Sequence, residues 1–272
     1  MSLPRVPLPF RRHPALVGMV HLPSLPGSPG WNGSMAHVLA AVEADVDALT
    51  RAGVDGILLE NYGDVPFRRD RVEPETVAAL TRAVIRAQER TDLAVGVNVL
   101  RNDAAAALGI AAATGAVFIR VNVHTGVMYA DQGRLDGRAD DTIRRRTALG
   151  VDCAILADVH VKHATPVVGE TVEAAAADTW ERGRADALVV SGAGTGRPTD
   201  PGRVARVREA VPDAPVWVGS GVTPETLPGL APQAAGFIVG SWMQTHGRAG
   251  GRVDPERARR MAAAVGRLRE VD

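Results

Sequence analysis

The sequence predicts an α/β protein built as one (β/α)8 TIM barrel over residues 1–272, and three observations predict it. Short, nearly continuous aliphatic runs alternate with Ala-rich amphipathic stretches from end to end. There are eight such runs, each with the length and two-faced apolar character of a parallel strand covered on both sides. No Pro/Ser-rich linker or change of composition divides them, so eight βα units fall within the roughly 250 residues typical of this barrel. A doubly wound sheet is the alternative, but it carries a G-x-G-x-x-G turn after its first strand, and here that position reads VHLPSLPGSPG.

The first strand is expected over 15–22 (ALVGMVHL), followed by a helix over 34–52 that Gly53 stops in the left-handed conformation. A second strand over 55–61 (DGILLEN) leads to a helix over 74–90. A third over 93–99 (LAVGVNV) leads to one over 104–114 closed by Gly115. The fourth strand, 117–123 (VFIRVNV), and fifth, 153–160 (CAILADVH), precede helices over 139–149 and 171–182, closed by Gly150 and Gly183. The sixth strand, 187–192 (ALVVSG), precedes a helix over 201–211. The seventh, 215–222 (PVWVGSGV), and eighth, 235–242 (AGFIVGSW), precede helices over 224–230 and 255–268. The last two helices open with Thr223-Pro224-Glu225 and Asp254-Pro255-Glu256, a capping oxygen before proline at the first helical position. The connections 23–33 and 125–138 exceed what packing needs. Both follow strand C-termini, where a barrel keeps its active site, and both are expected to behave as mobile lids.

Composition excludes several function classes. The chain has 272 residues, 31 Lys+Arg against 31 Asp+Glu, 46% hydrophobic and only 4% aromatic residues. Such a balance lacks the basic stripe and stacking platform of a nucleic-acid surface. No run approaches the ~20 apolar residues of a membrane span, and the start lacks the apolar core of a signal peptide, so a soluble cytoplasmic protein is expected. The single cysteine, Cys153, excludes an internal disulfide framework and is expected in the core.

Polar side chains end nearly every strand: His21, Glu60, Asn61, Asn98, Arg120, Asn122, His124, Asp158, His160, Lys162, Ser191, Ser220 and Ser241. A barrel interior is filled by aliphatics, so polar groups gathered at one rim point to a ligand. In Asp158-Val-His160-Val-Lys162 they recur at every second position, one face of an extended strand. A carboxylate beside an imidazole and an ammonium provides groups of separated pKa for acid–base chemistry. Asp158 is therefore the candidate acid/base, with His160 and Lys162 beside it, and Glu60 completes the catalytic set. His21, Asn61, Asn98, Arg120, Asn122, Ser191 and Thr195 are candidate substrate contacts. The Gly-rich turns Gly219-Ser220-Gly221 and Gly240-Ser241 are expected to bind phosphate, because glycine lets backbone N–H groups approach an anion and a helix start near Pro224 would add its dipole. His21, Glu60, Asp158 and His160 could also converge on a divalent metal, but no ligand-spacing motif supports it; that site is not favoured and the cofactor stays unknown.

The strings GMVHLPSLPGSP (18–29), EADVDALTRAGVDGILLENYGDVPF (43–67), VGVNVLRND (95–103), FIRVNVHTGVMYADQGRLDGRA (118–139), LADVHVKHA (156–164), SGAGTG (191–196), GSGVTPE (219–225) and IVGSW (238–242) run in order through the chain. Together they resemble the BtpA/SgcQ family of predicted (β/α)8 proteins. The resemblance implies either a nucleosidase-like role, as proposed for sugar-operon members, or the photosystem I biogenesis role of the member that names the family. The expected function is an enzyme acting on a small phosphorylated sugar or nucleotide-like substrate. Glycosidic cleavage is slightly preferred; a phosphosugar isomerase, an aldolase with a Schiff base on Lys162, and a non-catalytic assembly factor are the alternatives. A homo-oligomer is compatible with all of them.

Overall fold

Alternate residues of a strand face opposite sides, and in the computed structural model the two sets feed different cores. The structure describes residues 4–192, 194–195 and 197–270. Eight strands close a parallel barrel in the order β1 (Ala15–His21), β2 (Gly56–Glu60), β3 (Ala94–Asn98), β4 (Phe118–Val121), β7 (Ala154–Val159), β9 (Ala187–Val190), β10 (Val216–Val218) and β11 (Gly236–Val239), which returns to β1. Outward residues such as Leu16, Ile57, Val97, Ile119 and Ile155 pack under the helices, while Val17, Leu58, Phe118, Leu156, Val189, Trp217 and Ile238 fill the interior. Phe10, ahead of β1, plugs the base, its ring 5.4 Å from that of Phe118 and 5.0 Å from that of Trp217. Burial of such side chains contributes about 1.5–3 kcal/mol each.

The helices are α1 (Met35–Ala52), α2 (Pro74–Gln88), α3 (Ala104–Thr114), α4 (Ala139–Leu149), α5 (Val172–Ala177), α6 (Pro201–Ala210), α7 (Leu227–Leu230) and α8 (Pro255–Arg269). Gly53, Gly115 and Gly150 close α1, α3 and α4 in left-handed conformation, and Asp254 caps α8 by accepting from the Glu256 and Arg257 amides. None of the described helices is long and apolar enough to cross a membrane.

Four expectations need correction. Gly183 is right-handed, with φ −72°, because α5 runs into a wider π turn (Asp178–Arg182) instead of ending in a left-handed cap. The helix expected from Pro224 begins only at Leu227; Thr223 and Thr226 bond to each other in a turn that uses up the Thr223 hydroxyl. The 125–138 connection is no open lid. It folds into a hairpin of β5 (Val127–Ala130) and β6 (Gly133–Asp136), joined by β8 (Ala164–Pro166) into a small antiparallel sheet over Val123, Met128, Leu135 and Val161. The 23–33 connection is pinned, with Leu25 buried and its amide donating to Asp64 Oδ1 at 2.7 Å. Cys153 is buried, and burial pushes its thiol up to about 12.

Candidate active site

The inward set of each strand is apolar at the barrel base and polar at its C-terminal end, and strand register brings the polar members to one level. His21 pairs with Glu60, Glu60 with Asn98, and Asn98 with Arg120 across four consecutive strands. Their side chains bond along the same ring. Asn98 Nδ2 donates to Glu60 Oε2 at 2.7 Å, and the Arg120 guanidinium forks onto Asp158 at 2.8 and 3.2 Å and reaches Ser191 Oγ at 3.4 Å. His21 Nδ1 accepts from the Gly250 amide at 2.9 Å, so its proton sits on Nε2, 3.7 Å from Glu60 Oε1. Burial pushes the His21 pKa down to about 4, which keeps the ring neutral at physiological pH.

Asp158, the expected acid/base, is closed to solvent. Arg120 and Asn122 Nδ2 (2.8 Å) engage both its oxygens, so it serves as the buried counter-charge that orients Arg120. His160 does not share its face. The strand stops at Val159, His160 has φ +53°, and its Nε2 lies 3.0 Å from Glu170 Oε2 outside the mouth. The candidate metal set His21, Glu60, Asp158 and His160 is thereby dispersed, and among the described residues no group of three or more His, Cys, Asp or Glu is gathered to hold an ion. Asn61 clamps the β2 and β3 loops by bonding Asp64 and both backbone groups of Leu100, away from the central cavities, and His124 is turned outward onto the Gly183 carbonyl.

Two cavities meet at the mouth. One is lined by Gly219, Ser220, Gly221, Gly240, Ser241, Met19 and His21; the other by Glu60, Tyr62, Phe67, Leu100, Arg101, Asn122 and His163. Lys162, Arg120 and Thr195 border both. In the first, Ser220 Oγ accepts from the Gly192 amide at 2.9 Å and its carbonyl accepts from Thr199, locking the β9 and β10 loops together. Gly221 has φ +65°, and a Cβ there would collide with the Arg197 carbonyl, so only glycine fits. Thr195 is fastened by its amide donating to His163 Nε2 at 3.0 Å; Ala193 and Gly196 of the same Gly-rich string lie outside the described residues.

Lys162 is the chain's only lysine; every other basic residue counted among the 31 Lys+Arg is arginine. Its amine makes no hydrogen bond to the described residues and faces the junction of the cavities. Burial, with Arg120 adding repulsion, lowers its pKa to about 8 against the pull of Glu60 and Asp158. Arginine stays charged at any physiological pH, whereas a lysine so placed supplies free amine. Sequence reasoning passed over Arg101 and did not connect Gln244 with His21. Arg101 lies beyond the end of β3, where no periodicity marks it. Gln244, whose Nε2 meets His21 Nδ1 at 2.9 Å, lies in the irregular segment after β11. The lysine count was readable from the sequence directly.

The comparisons agree with this architecture. A model of the BtpA family matches residues 12–267. An uncharacterised protein of Thermococcus kodakarensis is 46% identical, covering 96% of this chain and 98% of its own length. The photosystem I biogenesis protein BtpA of Synechocystis sp. is 44% identical over 91% of this chain and 86% of its own. Among solved structures, thiamine phosphate pyrophosphorylase from Pyrococcus furiosus superposes with a TM-score of 0.58 at 12% identity, covering 93% and 96% of the two chains, a likeness of fold.

Proposed function

The chain belongs to the BtpA family, and from that premise we propose an enzyme that acts on a small phosphorylated carbonyl compound through the Lys162 amine. The observation that carries this is the solitary lysine, its amine without a hydrogen bond among the described residues and its pKa near 8, at the junction of two cavities on the C-terminal face of a barrel. A buried amine of lowered pKa is the nucleophile of Schiff-base chemistry. It adds to the carbonyl carbon, the carbonyl oxygen takes up one proton from the amine and one from a general acid and leaves as water, and the resulting protonated imine stabilises a carbanion on the neighbouring carbon. Glu60 is the proton carrier, because it lines the cavity and is held by Asn98 without an arginine partner. Ser220, Gly221, Gly240 and Ser241 would receive the phosphate on the loops where (β/α)8 barrels commonly hold one. Aldol-type cleavage or isomerisation suits this arrangement. A thermal-shift panel of phosphorylated aldoses and ketoses tests it: a ligand at 100 times its Kd adds about 2.7 kcal/mol of apparent stability. The proposal fails if no such compound protects the protein.

Glu60 also supports a second reading, glycosidic cleavage, since a carboxylate facing a ring carbon stabilises oxocarbenium charge. Release of free base from a nucleoside phosphate, lost in Glu60→Gln and retained in Lys162→Met, would favour it over the amine route. The assembly role in the name of the Synechocystis relative requires neither group; a protein with no ligand response whose partner binding survives Lys162→Met would fit that role instead.

A further inference from the structure

The cavity beside Tyr62 and Phe67 holds two buried polar groups that the protein leaves incomplete. Arg101 is 5% exposed; its Nη2 donates to the Lys162 carbonyl at 2.8 Å, yet its Nε has no acceptor and no carboxylate forms an ion pair with it among the described residues. Asn122 is 3% exposed; its Nδ2 is spent on Asp158, and its Oδ1 has no donor among the described residues. Both line one cavity of about 110 Å³, with Lys162 between them and the glycine loops of β10 and β11. Buried polar atoms are almost always satisfied, and the exceptions call for a function. The neighbouring cation offers a contrast: Arg120 sits in the same ring and has its carboxylate, Asp158, whereas Arg101 has none among the described residues.

We infer that this cavity recognises an acid group, with Arg101 taking a carboxylate and Asn122 Oδ1 accepting from the hydroxyl beside it, so that the substrate is a phosphorylated sugar acid rather than a neutral sugar phosphate. The inference rests on the reading of the opposite loops as the phosphate site, and it adds the chemistry of the substrate's other end. A guanidinium matches a carboxylate in plane and in spacing of donors. Phosphate at one end and carboxylate at the other would hold the intervening carbons against the Lys162 amine. The apolar sides of Tyr62, Phe67 and Leu100 dry the acid end, which strengthens a charged hydrogen bond.

Calorimetric titration of the intact protein compares 6-phosphogluconate with sorbitol 6-phosphate, which differ only in a carboxylate against a CH2OH at carbon 1. The wild type should bind the acid about tenfold to a hundredfold more tightly, the range a hydrogen-bonded charge supplies. Arg101→Gln should bring the two ligands level at the weaker value, and Arg101→Lys, which keeps the charge and loses the fork, should fall between. Equal binding by the wild type, or a preference that survives Arg101→Gln, overturns the inference; the wild-type arm needs no variant to fold. Gluconate against sorbitol repeats the comparison without phosphate, and inorganic phosphate alone tests the glycine loops, so the two readings fail separately.

Discussion

The two halves of the mouth are built from different materials. The β10–β11 half is backbone: glycines at 219, 221 and 240, with Ser220 spent on tying loops together. The β2–β7 half is side chain: Glu60, Asn98, Arg120, Asn122, Asp158 and Lys162, each held by a neighbour among the described residues except the lysine. The difference teaches where mutation bites. A backbone site is damaged by adding atoms, whereas a side-chain site is damaged by removing a partner and stranding the charge that remains.

The largest effect is expected at the free group of the side-chain half. Lys162→Met should lower turnover of a phosphorylated carbonyl substrate by at least about 100-fold, the scale of a lost proton-transfer or nucleophilic group. Its stability should rise, because a partly buried charge is replaced by an apolar chain of similar length. The sign follows from the lowered pKa: the folded value of about 8 lies below the ordinary 10.5, so folding is penalised fully below pH 8 and the penalty fades as pH climbs to 10.5. The melting gain of the variant, worth about 1–3 kcal/mol, should therefore be present at pH 7 and shrink by pH 10. A variant less stable than wild type at pH 7 would erase the distinction between a free group and a structural one.

Asp158→Asn probes a group that is held. It leaves Arg120 buried without its counter-charge, which costs about 3–5 kcal/mol and should lower the melting temperature by about 10 °C. Asp158 is thus not a side chain to be removed without consequence for the fold, as its place at a strand end suggests. A shift of a degree or two would show that the clamp is weak and restore Asp158 as a candidate for the chemistry.

The legibility of these halves differs for physical reasons. All eight barrel strands, and the ring of His21, Glu60, Asn98 and Arg120, could be read from the sequence, because a two-residue period carries the polar level along every strand. His160 broke the pattern because a single positive φ after Val159 ends the period, and no residue type announces that. The β5–β6 hairpin was hidden by Asp131-Gln132-Gly133, turn residues that look the same in a loop as between strands. Arg101 was invisible for a related reason: beyond the end of β3 its direction depends on tertiary contacts, here the Lys162 carbonyl.

The smallest effects belong to the backbone half. Gly221→Ala should displace the Arg197 carbonyl and weaken stabilisation by inorganic phosphate about tenfold, while Ser241→Ala, which removes a hydroxyl and leaves the amides in place, should weaken it about fivefold at most; a hydrogen bond of about 1 kcal/mol sets that ceiling. Thermal shift at graded phosphate concentrations reads both. If Ser241→Ala proves the more damaging, this half too is a side-chain site.

The central claim, a free amine on one lysine between two cavities, meets its most direct test in reductive trapping. The protein is incubated with a phosphorylated ketose or 2-oxo acid and borohydride and then digested for mass spectrometry. Since the chain has one lysine, the adduct can fall only there or on the N-terminal amine. The account predicts a reduced adduct on the peptide containing Lys162, formed faster as pH rises through about 8, slowed by inorganic phosphate and absent from Lys162→Met. An unmodified Lys162 across phosphorylated aldehydes, ketones and oxo acids, or labelling confined to the N-terminus, would contradict it.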